Sequence, residues 1–478
     1  MLTLLRRRSV VADQGIGRAI PLSWQGDPTR LTHSVQVESI VFRVAEALVP
    51  SWLRQRPNEH QPAKGSLPTA YLDGLRGIVA LLVFIRHFSL PWQQHVDYGY
   101  GHEGYNGFLR LPFLRLAFSG PLTPVFFIVS GYVLSAKSLE LSRKKAWEPL
   151  ALALAASTFR RALRLFLTPV LSTFMVMVLV HFNCFSFPYG HMPGKQPVHP
   201  IALGSFRAQF LQWGEFVMNE LTNPWRWDIP KLEYGPHLWT IPVSFKGSLV
   251  VFLACLALIR TKGVTRLGLL MLGISSALLH ARWDMAPFLG GMLLCELDIR
   301  DTERLNRLKD LNRAVPQSHR ILRRAFGLTC FIFGLYLGSF PRANHMGTAC
   351  VTGYQWSCLI TSNYRYWHCI SAFLIMFGIS RDKMLQWPMK TAVALYLGNV
   401  SFSVYIIHEP FLHLFAFHLV PFFRRWTGDA SEVRRQAGFL VAMLFSAFWL
   451  FWLADLFKRH IEERCARLAG WVETKILS

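Results

Sequence analysis

Arg76 and His87 stand in the apolar stretch YLDGLRGIVALLVFIRHFSL, residues 71–90. Ionisable groups at membrane depth are costly, so they are paired, line a cavity or carry function. At about 100° per residue, the eleven steps between them make roughly three turns plus 20°. Both side chains then project from one helix face, ~16 Å apart along the axis. Histidine can act as a general base near neutral pH, and arginine binds phosphates or carboxylates bidentately. One polar stripe on an apolar span points to a site inside a helix bundle. Two plainer readings stand beside this one: His87 as a buried, hydrogen-bonded residue, and Arg76 as the partner of Asp73, three positions earlier. Arg86, about 100° from His87, is expected to snorkel to the interface.

Other polar residues recur beside apolar runs. Arg160, Arg161 and Arg164 precede an apolar run, either as an anion site or as ordinary positive-side anchors. Ser130, Gly131 and Tyr132 lie in VFFIVSGYVLS; Gly131 suits close helix approach, and Tyr132 is open between packing and site lining. His237 opens the run HLWTIPVSFKGS and reads better as an interfacial histidine than as a site residue. Tyr405 and His408, three apart, share a helix face. His408, beside Glu409, is either a second polar site residue or an interfacial histidine.

The elements that must position these residues are membrane-length helices. The 478-residue chain is 52% hydrophobic and 17% charged, with 37 Phe and 16 Trp, and its mean hydropathy is +0.27. This is wrong for a soluble enzyme and right for a polytopic membrane protein. Ten spans are expected, near 71–90, 115–135, 161–182, 239–259, 266–281, 284–299, 324–340, 366–380, 393–418 and 436–457. The fold class is therefore all-α, a polytopic membrane helix bundle.

Lys plus Arg outnumber Asp plus Glu by 51 to 28, a net charge of +23. No basic helix or aromatic-basic module stands outside the spans, so the excess reads as positive-inside loops rather than as a nucleic-acid surface. Lys and Arg concentrate in the segments on the same side of the membrane as the N-terminus, which with an even span number points to cytosolic N- and C-termini. The loop with Arg424, Arg425, Arg434 and Arg435 is the exception. Residues 1–70 are expected as a cytosolic lead, 71–457 as the transmembrane domain and 458–478 as a short cytosolic tail. Within the lead, Val35 to Leu53 suits either a surface amphipathic helix or a disordered arm. Residues 183–238 form the longest lumenal loop, and 300–324 a basic, solvated connector. Cys255, Cys295, Cys330 and Cys369 read as packing residues; Cys350 and Cys358 share a loop and could pair. There is no metal-ligand spacing. The sequon Asn399-Val400-Ser401 lies in a span, so glycosylation is not expected there.

Five segments, YLDGLRGIVALLVFIRHF, FSGPLTPVFFIVSGYVLS, FRRALRLFLTP, YGPHLWTIPVSFKGS and LGNVSFSVYIIHEP, follow one another in an order that resembles the acyltransferase-3 family. The similarity is closest to its fungal members, several of which serve secondary metabolism. The resemblance implies a membrane bundle of about ten helices and acyl transfer from a thioester to a hydroxyl. It implies that His87 is the catalytic base. Arg76 would be catalytic and, with Arg160, Arg161 and Arg164, would bind coenzyme A phosphates. Asp73, Tyr132, Trp239, Ser244, Tyr405 and His408 would support them. The chain departs from the family at Ser244, where a carboxylate, commonly glutamate, is usual. Serine donates a hydrogen bond but carries no charge, and Lys246 nearby has the wrong sign to replace it.

These readings combine into an endomembrane O-acyltransferase. Its donor is acetyl-CoA or another acyl-CoA, with no metal, and its acceptor is a hydroxyl on a lipophilic small molecule. The bilayer is its solvent and nucleic acid is not a partner. A sugar hydroxyl as acceptor, a transporter, and an inactive family member are the alternatives.

Overall fold

The structure, a computed structural model, describes residues 48–51, 69–93, 96–101, 107–185, 187, 189–198, 200–226, 228, 232–311, 316–342, 352–361 and 363–477. Residues 48–51 fall in an N-terminal unit, Met1–Arg54; the rest belong to a second unit, Gln55–Ser478. The surface helix expected over Val35 to Leu53 lies almost wholly outside the described residues. So do Cys350 and the side chain of Cys358.

Every described regular element is helical, with no strand among the described residues. Apolar runs fold this way because a helix satisfies its own backbone hydrogen bonds without water. The ten expected segments fall on α1 (Ala70–Ser89), α2 (Leu122–Arg143), α3 (Trp147–His181), α4 (Thr240–Leu258), α5 (Gly263–Leu279), α6 (Ala286–Asp310), α7 (Gln317–Gly338), α8 (Tyr364–Arg381), α9 (Ala392–Phe411) and α10 (Glu432–Phe457). Side-chain caps fix several starts. Asn363 accepts from the Arg365 amide, Thr391 from that of Ala394 and Ser431 from that of Arg434, each satisfying an amide the helix cannot.

Six helical stretches are long and apolar enough to cross a membrane: Leu122–Arg143, Trp147–His181, Pro236–Leu258, Gln317–Gly338, Ala392–Thr427 and Glu432–Ile476. The other four fall short. α5 has only 17 residues, while α1, α6 and α8 carry polar and charged residues within their length. Each expected segment is therefore helical, but six helical stretches rather than ten are long and apolar enough to cross among the described residues.

The segments expected as a short tail and a basic connector are both largely helical. The C-terminal tail is α11 (Glu463–Leu477), continuous with α10 and packed on α3. It buries Cys465 and Ala469. The basic connector is helical on either side of residues 312–315.

α1 is held at the centre by two cores. Leu72, Leu75 and Val79 pack with residues of α2, α4 and α6. Ala80, Phe84 and Phe88 pack with residues of α4, α9 and α10. The stripe Arg76, Val83, His87 is left between them and lines a cavity. Glycines bring the backbones into contact. A Cβ on Gly77 would lie 2.3 Å from the Gly398 nitrogen of α9, and one on Gly131 would lie 2.0 Å from the Phe288 carbonyl of α6. Gly131 is thus a packing residue, as its motif suggests.

Candidate active site

A cavity of about 720 Å³ opens between α1, α2, α3, α4 and α9. It brings together Arg76 and His87 from α1, Arg160, Arg161 and Arg164 from α3, Trp239 and Ser244 at and beyond the start of α4, and Tyr405 from α9. Segments more than three hundred residues apart in sequence thus share one space.

One end is cationic. Arg76 lies 3.6 Å from Asp73, so the expected helical pair exists, but the guanidinium still lines the cavity. Arg161 donates from Nε to Ser248 Oγ at 2.9 Å. Arg160 lies 3.4 Å from Glu473 of α11. Arg164 has no hydrogen bond or ion pair among the described residues. Glu462, which accepts from Ser403 Oγ, is the acidic lining residue at this end. Four arginines against Asp73, Glu473 and Glu462 still leave excess positive charge, which suits phosphate groups.

The other end is rich in histidine. His87 lines the cavity and makes no side-chain hydrogen bond among the described residues. Its ring meets that of His408 edge-on, with centroids 5.0 Å apart and planes at 87°. His408 also lies against His237, with centroids 4.6 Å apart. Both ring nitrogens of His237 face oxygen acceptors: Nδ1 the Glu409 carboxylate, and Nε2 the Ile406 carbonyl at 3.1 Å. The same carboxylate accepts from the His237 amide at 3.0 Å. Tyr405 donates to the His237 carbonyl, and its hydroxyl lies 2.6 Å from Thr240 Oγ1. Trp239 closes a wall, edge-on to Phe127 with centroids 6.5 Å apart.

Several expectations are corrected. Arg86 does not snorkel. It is buried, lines the cavity, and lies 2.7 Å from Asp97 in the loop after α1. Burial alone would raise the Asp97 carboxyl, but the Arg86 charge and hydrogen bond hold it below its ordinary value. His237 is not interfacial but buried and cavity-lining. His408 is also fully buried, behind His87 rather than in the cavity wall. Tyr132 turns away and donates to Asp298 Oδ2 at 3.3 Å. Asp73 is exposed and reaches the site only through Arg76. Lys246, buried, donates to the Arg226 carbonyl at 2.5 Å.

Three residues stand at the site that sequence spacing did not indicate: Glu409, Glu462 and Arg342. Arg342 lies past α7 and lines the cavity with His87. Burial first, then the neighbouring Arg86 charge, push its guanidinium down to about 9, which leaves it cationic at neutral pH. The adjacency of His408 and Glu409 was the one available signal for Glu409.

An arginine-rich end and a histidine-rich end in one cavity suit a group-transfer enzyme with an anionic carrier. The acyltransferase-domain profile of the acyltransferase-3 family matches residues 69–458, and the chain belongs to that family. It is 28% identical over 456 residues to the O-acetyltransferase PaAT-1 of Phomopsis amygdali, covering 89% of this chain and 88% of that protein. It is 24% identical to the acyltransferase clz18 of Cochliobolus lunatus, covering 84% of this chain and 95% of the relative. No solved structure matches it.

Proposed function

We propose that this protein moves an acetyl group from acetyl-CoA to a hydroxyl of a lipophilic small molecule in secondary-metabolite biosynthesis. The observation that carries this reading is the shared cavity: Arg76, Arg160, Arg161 and Arg164 at one end and His87 at the other. The arginines hold the phosphates of coenzyme A, and the pantetheine arm runs along α1 toward His87. The ~16 Å between Arg76 and His87 along the helix gives the arm an extended path. With both termini cytosolic, the donor enters an endomembrane protein from the cytosol.

His87 takes the hydroxyl proton as the acceptor oxygen attacks the thioester carbon. Arg342, which lines the same cavity, stabilises the negative charge that develops on the carbonyl oxygen. The C–S bond then breaks, the ester leaves, and the coenzyme A thiolate receives the proton from His87. PaAT-1 is named an O-acetyltransferase, which supports oxygen as the nucleophile and acetyl as the group moved.

Coenzyme A release from acetyl-CoA, measured in membranes with a panel of lipophilic alcohols, tests the reading. His87→Ala should lose about 10²- to 10⁴-fold in turnover at normal membrane yield. A stable His87→Ala protein with near-normal turnover would remove His87 from the mechanism. Acceptor-dependent turnover confined to sugars would move the substrate class to glycans.

A further inference from the structure

We propose that His408 is the positioning residue of His87, accepting a hydrogen bond from the inner nitrogen of the His87 ring so that the outer nitrogen faces the cavity with its lone pair free. The proposal rests on the reading of His87 as the base.

Three observations lead to it. First, His408 Nδ1 lies 2.7 Å from the Tyr405 carbonyl. A carbonyl only accepts, so Nδ1 carries the hydrogen and Nε2 presents a lone pair. Second, that Nε2 is buried and has no partner, in a side chain with 0% exposure. A buried polar atom left unpaired is destabilising and calls for an explanation. Third, the neighbour lacking a hydrogen bond on the other side is His87, whose ring stands edge-on at 5.0 Å between centroids. An N–H···N contact of about 2.9 Å between two imidazoles places their centroids about 5 Å apart. A small rotation of the His87 ring would therefore close the bond. His237 cannot serve instead, since both its nitrogens are engaged.

The consequence is chemical. A neutral imidazole with its inner N–H held by an acceptor offers its outer nitrogen as base in one tautomer. That nitrogen takes the acceptor's proton and later returns it to the thiolate, while the inner N–H stays in place. In catalytic histidines the orienting acceptor is often a carboxylate. Here the carboxylate, Glu409, sits one ring further back, against His237.

The test compares His408→Gln with His408→Leu in the full-length protein. Glutamine keeps an acceptor oxygen for His87; leucine fills the space and removes the orphaned nitrogen, so it should fold well. With acetyl-CoA and the acceptor used for His87→Ala, His408→Leu should lose about 10- to 100-fold in kcat with little change in acetyl-CoA KM. His408→Gln should recover much of the loss. A packing role predicts the reverse order, leucine above glutamine, and that result overturns the proposal.

A second readout needs no acceptor. Carbethoxylation of His87 by diethyl pyrocarbonate, followed by peptide mass spectrometry, should slow several-fold in His408→Leu. An unchanged rate overturns the pairing. If His87→Ala stays active while His87 carbethoxylation follows the residue at 408, the pairing stands and the base assignment falls. If His87→Ala is inactive and His408→Leu is indistinguishable from wild type in both readouts, only the pairing falls.

Discussion

Arg86 Nη1 lies 2.7 Å from the Asp97 carboxylate, and the same guanidinium donates to the Phe118 carbonyl. The residue next to His87 in sequence is thereby anchored to the loop after α1 and to the segment leading into α2. This fixes the end of α1 that carries His87.

Asp97→Asn should therefore lower the melting temperature in detergent at pH 7. The cost is about 1–3 kcal/mol, less than for a fully buried pair because Asp97 is partly exposed. A carboxyl held below its ordinary value stabilises the fold above its unfolded value of ~4, and that contribution is lost as pH falls through the depressed folded value. Wild type should lose melting temperature on acidification more steeply than Asp97→Asn. Parallel pH curves for the two proteins would show that the pair contributes nothing to acid stability.

Gly398→Ala should damage folding. The added Cβ would lie 2.1 Å from the Asp73 carbonyl, a backbone atom that cannot step aside without moving α1. Overpacking of this kind costs about 1–3 kcal/mol or more. Monodisperse yield in detergent is the measurement, and Gly268→Ala, which meets nothing within 4 Å, is the control. Equal yields for the two would mean that α1 and α9 separate easily.

Arg164→Ala should raise acetyl-CoA KM about tenfold, the cost of one charge-assisted hydrogen bond, with kcat little changed. Arg160→Ala should do less, since its guanidinium is half-exposed and lies 3.4 Å from Glu473. Initial rates across acetyl-CoA concentrations separate the two parameters. A fall in kcat alone for Arg164→Ala would place that arginine away from the phosphates.

The residues on α1 were legible because a helix carries its own ruler: eleven steps keep Arg76 and His87 on one face whatever surrounds them. The apolar runs were legible for the same reason, and each became a helix. Contacts between helices were not. His237 and Glu409 are 172 positions apart, and no periodicity within either segment predicts their meeting. Arg86 was misread because snorkelling is the default for a cation on a lipid-facing helix. That default fails when a loop folds back a carboxylate, Asp97, to meet it. Tyr132 shares the SGY motif with Gly131, and both meet α6, Gly131 at Phe288 and the tyrosine at Asp298. The C-terminal segment reads as a tail in sequence, although Cys465 and Ala469 give it a buried face on α3.

Ser244 and Glu409 supply the last test. Ser244 lies one turn beyond Thr240 on α4, and both line the cavity; Thr240 touches Tyr405, which in turn reaches His237. A glutamate at 244 would extend into open, cation-rich space rather than into packed core. Ser244→Glu and Ser244→Ala should therefore reach similar membrane yields, whereas a carboxylate forced into an unpaired buried position would cost several kcal/mol. Glu409 is the acidic group that touches the histidine cluster among the described residues. Glu409→Gln should lower kcat about tenfold by removing the charge that holds His237. Adding Ser244→Glu places a carboxylate in the cavity from α4. The double variant should then exceed Glu409→Gln in turnover, while Ser244→Glu alone should change wild-type activity less. Loss of yield in Ser244→Glu but not in Ser244→Ala would mean that the site has been rebuilt around serine. A double variant no better than Glu409→Gln would mean that the two carboxylate positions are not interchangeable.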